Sequence, residues 1–129
     1  MTYWLVFLGG GLGSLLRYAL SQFNPPAPLA EIPNGTLWAN VLSCLVLGIL
    51  TGYLCTQSTQ NSHARLLIAT GFCGGFSTFS TFVSELGQLV TNRANFITVV
   101  YLLGSLLGGV AALALGVALG QYFARQIEH

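Results

Sequence analysis

Four long apolar stretches, separated by short polar connections, dominate this 129-residue chain. They cover about residues 3–23, 35–55, 66–90 and 97–121, and each reaches the roughly 20 apolar residues that a membrane-spanning helix needs. Since only 5% of the residues are charged, a soluble fold could not cover its surface with polar side chains. We therefore predict an all-α membrane protein, with residues 1–129 forming a single domain of four transmembrane helices in a lipid bilayer.

Composition also argues against several classes of protein. The net charge is +1 and there is no basic run, so we expect no nucleic-acid partner. Cys44, Cys55 and Cys73 lie in apolar runs without C-x-x-C spacing, which favours buried small hydrophobes over a disulfide framework or a zinc site. No nucleophile–base pair or metal-ligand cluster is evident, so we do not expect an enzyme.

Glycines recur four residues apart in every predicted helix. Such pairs let helix backbones approach closely in lipid, where the hydrophobic effect does not drive association. We therefore expect the four helices to pack tightly. The pairs are Gly9/Gly13, Gly48/Gly52, Gly71/Gly75, Gly104/Gly108 and Gly116/Gly120.

The arginines give no clear membrane orientation. Four spans place both termini on one side, together with Arg65 and Arg125, whereas Arg17 and Arg93 belong to the opposite side. Because basic residues set topology, this balance predicts insertion in both orientations and an antiparallel homodimer. A single orientation, set by a weak bias elsewhere in the chain, remains the alternative.

The third stretch carries polar residues where a spanning helix should be most apolar. Gly74 and Gly75 precede four hydroxyl residues, and the midpoint of the stretch falls near Thr78. Glycine weakens a helix and hydroxyls offer its backbone other partners, which favours a third helix broken at the membrane centre. Freed carbonyls from two antiparallel copies would suit a small hard cation such as sodium. The alternative is an intact helix whose hydroxyls bond back to its own carbonyls.

Aromatic rings beside these hydroxyls suggest a path for an anion. Phe79 and Phe82 are three residues apart, hence on one helix face, and aromatic ring edges carry positive charge. Ser80 and Thr81 add hydrogen-bond donors, so weak anion sites without a fixed charge become feasible, as conduction requires. The alternative is that both rings only fill space.

Other polar residues of the spans fit the same interpretation. Asn40, in the second helix, can donate to an anion through its amide, and Tyr101 and Ser105 add hydroxyls at a similar depth in the fourth. Arg17 either snorkels to the interface or supplies positive potential to a vestibule. Glu85, near the end of the third helix, is expected at a water-filled mouth.

Residues 71–82, Gly-Phe-Cys-Gly-Gly-Phe-Ser-Thr-Phe-Ser-Thr-Phe, resemble the signature of the Fluc (CrcB) fluoride channel family. Residues 9–14, Gly-Gly-Gly-Leu-Gly-Ser, leading to Arg17-Tyr18, are similar to its first-helix motif. Residues 35–40, Gly-Thr-Leu-Trp-Ala-Asn, are similar to its second-helix motif. The resemblance extends over essentially the whole chain.

This resemblance implies a dual-topology antiparallel homodimer in the bacterial inner membrane, with two fluoride pores lined by Phe79, Phe82 and Asn40. It also implies a structural, untransported sodium ion held by the main-chain carbonyls of Gly74 and Ser77. Family members commonly have Thr where this chain has Ser77, a change that a carbonyl ligand should survive. The implied role is passive fluoride efflux, which lowers cytoplasmic fluoride.

Two other classes compete with this interpretation. A small multidrug-type proton-coupled transporter also uses four helices in antiparallel dimers, but it needs an ionisable residue deep in the first helix to exchange protons, where this chain has only Arg17. A membrane assembly factor without transport would not need the polar run near Thr78, which is costly at that depth.

Overall fold

The computed structural model describes residues 2–22, 32–56 and 62–127, and all regular secondary structure in these ranges is helical. We number five helical elements in chain order. They are α1 (Thr2–Ser21), α2 (Asn34–Thr56), α3 (residues 62–76), α4 (Phe79–Thr91) and α5 (Asn95–Ile127).

Four helical stretches are long and apolar enough to cross a membrane. They are Thr2–Ser21, Asn34–Cys55, Arg65–Thr91 and Asn95–Ile127. The last extends six residues beyond the predicted end near residue 121. Nothing after Gly120 breaks a helix, and Arg125 in the last turn complements the negative end of the helix dipole. The prediction of an all-helical protein with four membrane-spanning stretches is therefore confirmed.

The third span is not one regular helix. Within α3, a short α-helical start at Ser62–Ala64 leads into a π-helix at Arg65–Cys73 and then a single turn at Gly74–Phe76. Two residues with extended backbone, Ser77 and Thr78, separate α3 from α4. A π-helical stretch of this length is rare, and such stretches concentrate at functional sites.

Glycines lock α1 against α3. A Cβ added to Gly13 would lie 2.7 Å from the Phe76 nitrogen, and one added to Gly75 would lie 2.9 Å from the Gly10 Cα. Real Cβ atoms essentially never approach other heavy atoms this closely, so only glycine fits at both positions. We call this contact the first glycine interlock.

A second glycine interlock joins α2 to α5. A Cβ on Gly116 would lie 2.9 Å from the Ile49 nitrogen, and one on Gly120 would lie 2.7 Å from the Tyr53 nitrogen. Of the predicted Gly104/Gly108 pair, Gly104 takes no part, because a Cβ there would meet nothing within 4 Å, whereas one on Gly108 would lie 3.3 Å from the Val41 Cγ2 of α2. The two interlocks thus build two closely packed helix pairs, α1 with α3 and α2 with α5.

Candidate functional site

Ser77 and Thr78 interrupt the hydrogen-bonding pattern of the third span. Their backbone angles, φ −75° and ψ 157° for Ser77 and φ −153° and ψ 119° for Thr78, are extended. The Ser77 N–H still donates to the Cys73 carbonyl at 2.9 Å, and the Ser77 hydroxyl donates to the same oxygen at 2.8 Å. In a continuous helix, Thr78 and Phe79 would next donate to the carbonyls of Gly74 and Gly75. The extended residues remove both of those bonds.

The Asn40 side chain forms hydrogen bonds with both main-chain polar groups of Thr78. The Thr78 N–H donates to Asn40 Oδ1 at 2.8 Å, and Asn40 Nδ2 donates to the Thr78 carbonyl at 3.2 Å. Because the N–H can only donate, this pairing fixes which end of the amide faces it. The amide therefore substitutes for a neighbouring backbone at the interruption, and its second N–H remains for another acceptor.

The hydroxyls predicted near the rings gather around Thr78. Thr78 Oγ1 accepts from the Thr81 N–H at 3.3 Å and so caps the start of α4. It also lies 3.0 Å from Thr81 Oγ1 and 3.4 Å from Ser80 Oγ. The structure thus brings Ser80 and Thr81 together, one turn from the Asn40 amide.

Three aromatic rings form a row between α4 and α5. The Phe79 and Phe82 ring centroids are 6.2 Å apart, and those of Phe82 and Tyr101 are 5.2 Å apart. Both pairs are tilted, with interplanar angles of 40° and 55°. Phe82 is 6% exposed, whereas Phe79, at the start of the row, is 77% exposed at the chain surface.

The far end of the ring row meets a carboxylate. Tyr101 donates its hydroxyl to Glu85 Oε2 at 2.6 Å, and Thr36 donates to Glu85 Oε1 at 2.8 Å. Tyr101 and Thr36 are buried, and Glu85 is half-buried. Thr36 was not among the predicted site residues. Its position four residues before Asn40, on the same face of α2, is the sequence signal that points to it.

Two further serines lie along the buried faces of α2 and α5. Ser43 donates to the Asn40 carbonyl at 2.9 Å. Ser105, one turn after Tyr101, is 9% exposed, and its hydroxyl has no hydrogen-bond partner among the described residues. A buried hydroxyl without a partner is unusual in a folded protein. Ser105 therefore stands out as a free polar group.

Arg17 contacts the third span from α1. Its Nε donates to the Gly75 carbonyl at 3.2 Å, and Ser14 Oγ lies 3.4 Å from the same oxygen. Arg17 is half-buried and forms no ion pair with any residue that the structure describes. The structure thus places this side chain at the interruption, on Gly75, whereas the Asn40 amide contacts Thr78.

A cavity of about 350 Å³ opens beside the interruption. Gly74, Ser77 and Phe79 line it, and a Cβ on Gly74 would meet nothing within 4 Å. No hydrogen bond to the carbonyl oxygens of Gly74 or Ser77 is present among the described residues. The same residues include no cluster of three or more His, Cys, Asp or Glu side chains. The remaining lining residues are Asn40, Ser43, Cys44, Leu47, Ala69, Cys73 and Thr78.

Comparison with known proteins gives a consistent result. The family model described as "CrcB-like protein, Camphor Resistance (CrcB)" matches residues 4–117. The chain is 42% identical over 121 residues to a protein of Prosthecochloris aestuarii named fluoride-specific ion channel FluC, a match that covers 91% of each chain. Proteins with the same name from Rhodopseudomonas palustris and Chloroflexus aurantiacus are 37% and 36% identical, over 92% of this chain and 96% and 94% of theirs.

Proposed function

Because this chain belongs to the CrcB family, we propose that it is a fluoride-selective channel that mediates passive fluoride efflux. The family places it among multi-pass membrane proteins whose named relatives are ion channels rather than enzymes. This assignment replaces the alternative of a small multidrug-type transporter. The observation that carries the proposal is the row of rings and hydroxyls from Phe79 to Tyr101, which lies among apolar helices.

The row suits a small anion that accepts strong hydrogen bonds. Ring edges of Phe79 and Phe82 attract an anion weakly, and the hydroxyls of Ser80, Thr81 and Ser105 replace part of its hydration shell. Weak, repeated sites let the ion leave as readily as it enters. Fluoride, the smallest halide, loses the most hydration energy on entry and also gains most from short hydroxyl contacts, so a path lined by hydroxyls suits it.

Glu85 shapes the end of the row by holding two donors. Tyr101 and Thr36 both direct their hydroxyl hydrogens at its carboxylate. An anion that reaches Tyr101 competes with Glu85 for the same hydrogen. Binding at this point is therefore weakened, which favours release towards the mouth of the path.

Passive flow through such a path exports fluoride. Hydrogen fluoride crosses lipid as a neutral acid and loses its proton in the cytoplasm, where the anion is trapped. A negative-inside membrane potential drives anions outwards, by about 2.3 kcal/mol per charge for each 100 mV. A selective channel in the bacterial inner membrane would therefore lower cytoplasmic fluoride without an energy source.

An antiparallel homodimer would complete the site. Phe79 is exposed at the chain surface and Gly74 borders the open cavity, so one copy leaves polar backbone and a pore residue uncovered. Uncovered backbone is not tolerated against lipid. The balanced arginines support two copies in opposite orientations, with the interruptions of the third spans meeting at the membrane centre.

The same arrangement would hold a structural sodium ion. The Gly74 and Ser77 carbonyls border the cavity without hydrogen-bond donors among the described residues, and hard oxygen ligands fit sodium. Two copies would supply four such oxygens. Sodium, when bound, would neutralise their mutual repulsion, while Cys73 and Gly75 already use their carbonyls for protein hydrogen bonds.

Fluoride release from liposomes tests the proposed function. Purified protein is reconstituted into vesicles loaded with potassium fluoride or potassium chloride, a potassium ionophore is added, and an ion-selective electrode records the released anion. We expect fast release of fluoride and little release of chloride relative to protein-free vesicles. Equal release of both anions, or fluoride release no faster than from protein-free vesicles, would contradict the proposal.

A further inference from the structure

The interruption of the third span leaves the carbonyls of Gly74 and Gly75 without the donors that a continuous helix would give them. Thr78 and Phe79 would donate to Gly74 and Gly75, respectively. The two carbonyls have different environments. Gly74 borders the cavity, whereas Gly75 packs against Gly10 of α1. Of these two oxygens, that of Gly75 accepts hydrogen bonds from side chains among the described residues.

Arg17 provides that donor. Its Nε lies 3.2 Å from the Gly75 oxygen, and Ser14, three residues earlier on the same helix face, reaches the same atom at 3.4 Å. The guanidinium also lies at the C-terminal end of α3, where the helix dipole favours a positive charge. A charge-assisted hydrogen bond of this kind is stronger than the neutral backbone hydrogen bond that it replaces.

We propose that Arg17 is a positioning residue for the anion path: it replaces the Phe79 N–H as the donor to Gly75 and thereby fixes the interruption from α1, as Asn40 does from α2. Asn40 holds Thr78 from α2, and Arg17 holds Gly75 from α1. With Gly75 held, the Gly74 and Ser77 carbonyls stay on the cavity side and Phe79 keeps its place at the start of the ring row. This inference rests on the proposed function for its consequence in transport.

Two substitutions distinguish this hydrogen-bonding role of Arg17 from the role of a positive charge in a vestibule. Gln Nε2 is the same number of bonds from Cα as Arg Nε, so Arg17→Gln keeps a donor at this distance and removes the charge. Arg17→Met has a similar length but no donor. Both substitutions remove one arginine, so any change in membrane orientation is the same for both. The same pair at Arg125, which is exposed near the end of α5, serves as the control.

Fluoride efflux and thermal unfolding of all four variants test the proposal. We expect Arg17→Gln to keep efflux within about threefold of the original chain and Arg17→Met to lose about tenfold or more, since a hydrogen bond to a part-buried carbonyl is lost. Arg17→Met should also need more sodium for half-maximal efflux, a change that altered vestibule charge alone would not produce. The Arg125 pair should show no difference.

Equal losses in Arg17→Gln and Arg17→Met would overturn the proposal, because the donor retained by glutamine would then make no difference. If the original chain releases no fluoride, the proposed function fails instead. In that case the thermal unfolding measurements alone test the contact between Arg17 and Gly75. A lower melting temperature for Arg17→Met than for Arg17→Gln supports the positioning contact, and equal melting temperatures refute it.

Discussion

Replacing Asn40 with leucine tests how the interruption of the third span is stabilised. The change keeps the size of the side chain and removes both hydrogen bonds to the Thr78 main chain, at 2.8 and 3.2 Å. Inter-helix hydrogen bonds in membranes contribute about 0.6 kcal/mol on average and up to about 1.7 kcal/mol. Two lost bonds therefore predict about 1–3 kcal/mol of destabilisation.

The measurements are fluoride efflux from liposomes and thermal unfolding in detergent. We expect Asn40→Leu to lower both, because Thr78 can then leave the extended conformation that starts α4. Thr51→Val is a matched control on the same helix. It also removes a side-chain hydrogen bond, to the Leu47 carbonyl at 2.8 Å, but at an exposed position far from the interruption. It should change neither property appreciably.

Asn40→Asp refines the same test. An ionised carboxylate can still accept from the Thr78 N–H, but its second oxygen would face the Thr78 carbonyl oxygen, and these two oxygens repel each other. The charge also opposes an approaching anion. Acidification should restore part of the function, because a protonated carboxyl donates as the amide does. Wild-type efflux and stability in Asn40→Leu would refute the reasoning and leave Asn40 as an ordinary packing residue.

The remaining predictions address the rings, the ion, the topology and the interlock. Phe79→Ile or Phe82→Ile should abolish or strongly slow fluoride efflux while the dimer still assembles; normal efflux from the double variant would show that both rings only pack. Efflux or dimer stability should fall when a bulky organic cation replaces sodium, whereas Ser77→Ala should be tolerated. If neither efflux nor dimer stability depends on sodium, the proposed sodium site is refuted. Three lysines added after His129 should force one orientation and reduce efflux, and a tag on the unmodified C-terminus should be accessible from both sides; accessibility from one side only would rule out dual insertion. Gly13→Ala should reduce the yield of folded protein, measured by size-exclusion chromatography, because its Cβ would lie 2.7 Å from the Phe76 nitrogen; an undiminished yield would show that α1 can shift freely.

The sequence predicts the spans and the polar centre because both depend on local composition. Apolar length alone identifies the four membrane-spanning stretches, and the glycines followed by hydroxyls indicate an irregular segment around Thr78. The structure adds two extended residues at that place. Their exact position depends on which backbone groups find side-chain partners, which is a tertiary property.

Two further features were not predicted from the sequence. The π-helix at Arg65–Cys73 has the same apolar character as an α-helix, so periodicity cannot distinguish them over nine residues. Thr36 escaped notice because it lies in the first turn of α2, where threonine is common for local reasons. Its contact with Glu85 spans 49 residues and becomes visible only when α2 and α4 meet.

The roles of the site residues differ in how far sequence could anticipate them. Ring and hydroxyl chemistry follows from residue type, so a path along Phe79 and Phe82 is a natural prediction. Asn40 was expected to donate to an anion, yet the structure uses its amide first to pair with Thr78. Glu85 was expected at a watery mouth, and it accepts hydrogen bonds from two buried hydroxyls.

The two glycine interlocks each hold a pair of helices in close contact. The first joins α1 to α3 and the second joins α2 to α5, whereas Ser77 and Thr78 connect α3 to α4 through extended backbone. We expect a bilayer that thins or bends to disturb the closely packed pairs less than Ser77, Thr78 and the Asn40 amide that pairs with Thr78. Because the ring row starts directly after these residues, the rate of ion passage should respond to membrane thickness.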